Sequence, residues 1–65
     1  MLVKGFISKK NEIKNTAEII LPEFDNVLTA ELPFYNRSAE NAYIGEFVVV
    51  ALFNDDKDFC NGVIL

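Results

Sequence analysis

The apolar residues of this chain fall in short runs divided by polar and turn-forming stretches, and few recur at helical spacing. β-branched and aromatic residues fill those runs, as half-buried strands require. Leu2 to Ser8 reads as the first strand, and the polar stretch KKNEIKN after it as a turn. Thr16 to Leu21 is the second, closed by PEFDN, where Pro22 has no N–H for a ladder. Val27 to Leu32 is the third and stops at Pro33. In NRSAENA, Ser38 is placed to cap one helical turn through Ala39, Glu40 and Asn41. Gly45 permits a sharp bend into the fourth strand, Glu46 to Phe53; after the loop NDDKDFCNG, Gly62 to Leu65 is the fifth.

Short strands at regular spacing, with at most one helical turn between the third and fourth, predict a single all-β domain over residues 1–65. The break between the third and fourth strands suits a small five-stranded OB-type barrel; an SH3-like barrel is the alternative.

Alternation assigns a side to each residue. The second strand turns Ala17, Ile19 and Leu21 one way and Glu18 and Ile20 the other; the third groups Leu28, Ala30 and Leu32 against Val27, Thr29 and Glu31. The fourth strand is apolar both ways, with Phe47, Val49, Ala51 and Phe53 on one side and Val48, Val50 and Leu52 on the other. A barrel interior covers one side only, and each aliphatic side chain is worth roughly 1.5–3 kcal/mol when buried. Two coverings are open for the outer side. The segment 33–45 folds over it with Phe34, Tyr35 and Tyr43, or another molecule does. Under the second, the expected contacts are Val48, Val50, Leu52, Ile20 and Ile64, with Tyr35, Arg37 and Tyr43 at the rim.

At 65 residues the core is small, and one cysteine excludes an internal disulfide, which leaves association or an unusually efficient core. The apolar fraction of 51% fits either. Ten acidic against six basic residues give a net charge of -4, which opposes binding to phosphate backbones and anionic lipid. Lys9, Lys10 and Lys14 are the basic cluster that a nucleic-acid reading would use, but Glu12 lies among them. No run is long enough to span a bilayer. The basic residues of MLVKGFISKK follow the apolar ones, the reverse of a secretory signal, so a cytoplasmic site of synthesis is expected.

Catalytic chemistry is poorly provided for. Without histidine the usual neutral base is missing, and Cys60 has no imidazole to make it a thiolate. Cys60 is expected to be a partly buried thiol beside Phe59. The acidic loop does not fit an EF-hand: counted from Asn54, position 6 is Phe59 and position 12 is Leu65. It reads as a solvated turn in which Lys57 offsets Asp55, Asp56 and Asp58. No enzyme activity, metal or cofactor is expected.

The order LPEFDN, then ELP, then AYIGEFVVVALFNDDKDFCNGVIL resembles the OB-fold module of phage baseplate and tail-spike proteins. That group includes baseplate assembly protein V and the spike proteins of type VI secretion. Gly45, Glu46 and Val48 match the start of its valine-rich strand, Leu52 to Asp56 the strand end and acidic loop, and Gly62 to Ile64 the closing strand. The resemblance implies a non-enzymatic structural component of a phage or prophage tail, assembled on a hub protein or on copies of itself, with a trimer as the family's habit. A small single-stranded nucleic-acid-binding OB protein is the alternative.

Overall fold

A computed structural model describes residues 1–53 and 58–65. Among those residues six strands form one sheet: β1 Leu2–Asn11, β2 Thr16–Leu21, β3 Val27–Leu28, β4 Leu32–Pro33, β5 Phe47–Leu52 and β6 Gly62–Ile64. The order is β3-β2-β1-β5-β6, with β4 also on β2, and every ladder is antiparallel. One 3-10 turn, Pro22–Phe24, follows β2, and another, Ala39–Asn41, lies between β4 and β5. The Ser38 cap is present, its hydroxyl accepting from the Glu40 N–H at 3.2 Å. The fold is all-β, as the strand pattern predicts.

The predicted third strand is two strands. Ile20 faces Leu28 while Ala17 faces Leu32, so three steps along β2 are matched by four along its partner. That extra residue is a bulge, and Thr29 sits in it. The Thr29 hydroxyl accepts the Ile19 N–H at 3.0 Å and donates to the Ala30 carbonyl at 2.8 Å, while the Thr29 N–H reaches the Ile19 carbonyl at 2.9 Å. Thr29 therefore turns inward and is buried, whereas Leu28 and Ala30 are exposed and Leu32 is buried. The grouping of Leu28 and Ala30 with Leu32 fails because strict alternation does not survive a bulge.

A second bulge lies in β1. Ile7 pairs with Ile19 but Lys9 with Glu18, so Ser8 is the extra residue. Past it the side of each residue is reversed: Lys10, rather than Lys9, stands opposite buried Ala17. Both bulges bend the long strands, as a sheet must bend to wrap a core.

The core collects Val3 and Ile7 from β1, Ala17, Ile19 and Leu21 from β2, Leu32, Phe34, and Val48, Val50, Leu52 and Ile64 from β5 and β6. Ala39 and Ala42 close it from the connecting segment, and Phe24, Val27 and Phe59 pack against its edge. The Cα radius of gyration, 10.4 Å, is near the ~10.7 Å of a well-packed chain of this length. The sheet does not close by a ladder. Where a barrel would join, one parallel bridge links Phe34 and Ile64, and the Tyr35 N–H donates to the Ile64 carbonyl at 2.8 Å.

Four of the expected docking residues belong to that core. Val48, Val50, Leu52 and Ile64 are nearly inaccessible, Val50 at 0% exposure. Their side of β5 is the inner one, because β1 pairs Val3 with Val50 and Gly5 with Val48, and Val3 and Gly5 are themselves buried. The outer side belongs to Phe47, Val49 and Ala51. The covering segment is also corrected: Phe34 is buried in the core, while Tyr35 and Tyr43 are exposed to solvent.

A candidate docking face

The register of the sheet builds an apolar outer face row by row. Leu28 pairs with Ile20, Ile20 with Phe6 and Phe6 with Phe47, which makes one unbroken row across β3, β2, β1 and β5. Phe47 is 54% exposed, Leu28 47% and Phe6 41%; Ile20 between them is half-buried. A second row runs Leu2, Ala51, Val63, with Leu2 67% exposed. Between the rows Lys4 pairs with Val49, whose carbonyl accepts the Leu65 N–H at 2.9 Å. The Phe6 and Phe47 rings meet at 5.9 Å between centroids, tilted 58°. This is the edge-on contact aromatic pairs favour. Beside them Lys4, Phe6, Pro22, Glu23 and Phe47 line a shallow depression of about 380 Å³.

Ile20 is the only expected docking residue on this face. Leu2, Phe6, Leu28 and Phe47 were missed. A signal for them exists in the sequence: Lys4 alternates with Leu2 and Phe6, and a charge on one side of a strand marks that side as the wet one. Pairing the first strand antiparallel to the fourth then carries the Phe47 side outward.

The expected rim residues lie elsewhere, on the segment joining β4 to β5. Arg37 grips Glu46 with two hydrogen bonds, Nη1 to Oε2 at 2.6 Å and Nη2 to Oε1 at 3.1 Å, and donates to the Asn41 carbonyl at 3.3 Å. Its guanidinium stands 5.7 Å from the centre of the Phe34 ring. Glu46 also accepts the Tyr43 N–H at 3.2 Å. The Arg37 hydrogen bonds hold the Glu46 carboxyl below its ordinary pKa, with the Tyr43 N–H adding to the effect against partial burial. Arg37 is shifted up, first by its hydrogen bond to Glu46.

Two side chains from the other end of the sheet tie down the same segment. Lys10, turned inward by the bulge, donates to the carbonyls of Ala39 at 3.1 Å and Ala42 at 2.6 Å and pairs with Glu12 at 3.3 Å. Asn15, with φ 58°, accepts from the Ala39 N–H and donates to the Arg37 carbonyl at 3.3 Å. Gly45, with φ 89°, makes the bend into β5; its N–H donates to the Ile7 carbonyl at 2.7 Å, and the Ile7 N–H returns to the Glu46 carbonyl at 3.0 Å. This cluster is a clamp on its own chain rather than an open site.

The lysine cluster that a nucleic-acid reading needs is divided. Lys10 is occupied as described, and Lys14 lies 3.7 Å from Glu31. Cys60 is exposed, not partly buried, and its thiol donates to the Asp58 carbonyl at 3.3 Å; at the turn, Phe59, φ 54°, packs against the core instead. Phe59 packs on Phe24 at 5.0 Å. The solvated turn expected at Asp55, Asp56 and Lys57 lies outside the described residues. Among the described residues no group of three His, Cys, Asp or Glu converges as a metal site, and no helix is long and apolar enough to cross a membrane.

No protein-family model, curated protein or solved structure matches this chain, so the face and the clamp stand on their own geometry.

Proposed function

We propose that this protein is a non-enzymatic assembly module that binds other protein through the outer face of its sheet. The observation that carries the reading is the exposed row Leu28–Ile20–Phe6–Phe47, continuous across four strands. Contiguous exposed apolar surface of this kind marks interfaces, and the aromatic pair at its β1–β5 end is of a residue type enriched in interface cores. The shortest charged pair among the described residues, Arg37 with Glu46, is spent on holding a loop. The chain has no histidine to act as a base near neutral pH.

The narrower form of the proposal is a structural component of a phage or prophage tail baseplate or hub, built on an OB-type, partly open barrel. The matches at Gly45, Glu46, Val48, Leu52–Asp56 and Gly62–Ile64 support it, and so does a strand order that brings Phe34 beside Ile64. Co-expression with the products of neighbouring genes tests both forms. The expected result is a complex of fixed stoichiometry containing tail proteins, lost in Phe47→Asp and retained in Tyr43→Ala. A complex that forms equally well with folded Phe47→Asp overturns the role of the face. A complex without tail proteins overturns the narrower form alone.

A further inference from the structure

The depression in the docking face is lined by two full charges, and they are of opposite sign. Lys4 and Glu23 are both exposed and line the same depression with Pro22 and the Phe6–Phe47 pair. Neither has an ion-pair partner among the described residues, whereas Lys10, Lys14 and Arg37 each have one. A surface that offers one cation, one anion and an apolar floor is complementary to itself. A two-fold axis between the two charges sets Lys4 of each copy against Glu23 of the other and brings the two aromatic pairs together. Isologous contacts have this form: residue i meets j, and j meets i.

Resting on the reading of this face as a docking surface, we propose that its occupant is a second copy of the same chain, in a two-fold dimer with reciprocal Lys4–Glu23 pairs. The size of the patch sets its strength. Four strands about 4.8 Å apart, over about five residues of 3.3 Å, give a flat footprint of roughly 300 Å² per copy. That lies below the ~800 Å² per partner of a standard stable interface. The dimer is therefore a weak, transient one.

Sedimentation velocity of the full chain from about 1 to several hundred µM tests this, with circular dichroism as the check on folding. The wild type is expected to pass from monomer to dimer over that range. Lys4→Glu and Glu23→Lys, each alone, place like charges together twice in every dimer and are expected to weaken association by roughly tenfold or more. Mixing the two variants is the deciding arm. One chain then carries only acidic and the other only basic groups at positions 4 and 23, both contacts become attractive, and a heterodimer of about wild-type affinity forms. A Lys4–Glu23 pair within one chain predicts no rescue on mixing. If a reversal unfolds the chain, Lys4→Gln and Glu23→Gln take its place, each expected to weaken the dimer a few-fold with no change in melting. A monomer at all concentrations, or a dimer indifferent to these changes, overturns the proposal. If such a monomer still needs Phe47 to enter a larger complex, the docking face stands and only the identity of its occupant falls.

Discussion

At the scale of single residues, two glycines show how differently the same substitution acts. A Cβ on Gly5 would overlap Ile19 Cγ2 and come within 2.9 Å of the Ile20 carbonyl oxygen, both in the adjoining strand. Gly5 thus lets β1 lie close over β2 at the centre of the core. Gly5→Ala is expected to cost about 1–3 kcal/mol, the usual penalty of overpacking, read as a lowered urea midpoint. A Cβ on Gly45 meets nothing, but φ of 89° is strained for any side chain. Gly45→Ala is therefore expected to cost only about 1 kcal/mol, and Gly45→Asn less, since asparagine tolerates positive φ. Glu46 adds a pH signature. Its pKa in the folded chain is lowered by Arg37, so its contribution is fully present above the ordinary carboxylate value, near 4.5, and is lost as pH falls through the lowered one. Glu46→Gln should be less stable than wild type at pH 6, and the gap should narrow as pH drops below about 4.5. A gap that stays constant down to pH 2.5 in parallel urea titrations would show that Arg37 does not discriminate the charged carboxylate.

At the scale of elements, the two bulges decide what the strands present. Without the extra residue at Ser8, Lys10 would face outward and the segment between β4 and β5 would lose its anchor on the Ala39 and Ala42 carbonyls. Lys10→Met keeps the apolar stem and removes the ammonium. Its expected effects are a loss of about 1 kcal/mol and faster amide exchange at Ala42 and Gly45, with β1–β2 amides unchanged. The limits of sequence reading lie at this same scale. Strand positions were legible because turn formers bracket β-branched runs: β2 begins and ends where expected, and the Ser38 cap and the bend at Gly45 are where the residue types place them. The third strand was not, because nothing in VLTAEL announces that the Thr29 hydroxyl will take a backbone partner's place. Nor was the side of β5. Alternation identifies two sides, but FVVVALF is apolar on both, so nothing within the strand says which is inner. The sign comes only from the register with β1, where Val3 and Gly5 stand opposite Val50 and Val48. The candidate face was thus readable as one of two alternatives, and Ile20 alone was placed on the correct one.

At the scale of the molecule, one strand serves both the core and the proposed docking face, and two aspartate substitutions separate them. Val50 is sealed inside, between Val3 on β1 and Ile64 on β6. A charge there has no water and no partner, and a domain this small has only a few kcal/mol of stability to lose. Val50→Asp is expected to abolish folding, so its loss of assembly says nothing about the face. Phe47 is three residues away on the same strand but half exposed, opposite Phe6. Phe47→Asp can hydrate its carboxylate and should keep the wild-type circular dichroism, with a stability loss of about 1 kcal/mol from the broken aromatic pair. The same change puts an unpaired charge on the proposed docking surface, so association should fall by at least tenfold. The pair of variants therefore gives opposite signatures: one unfolded, the other folded and monomeric. If Phe47→Asp unfolds like Val50→Asp, the outer row is holding the sheet together rather than waiting for a partner. If it folds and still assembles, binding uses another surface, and the row Leu28–Ile20–Phe6–Phe47 needs a different explanation.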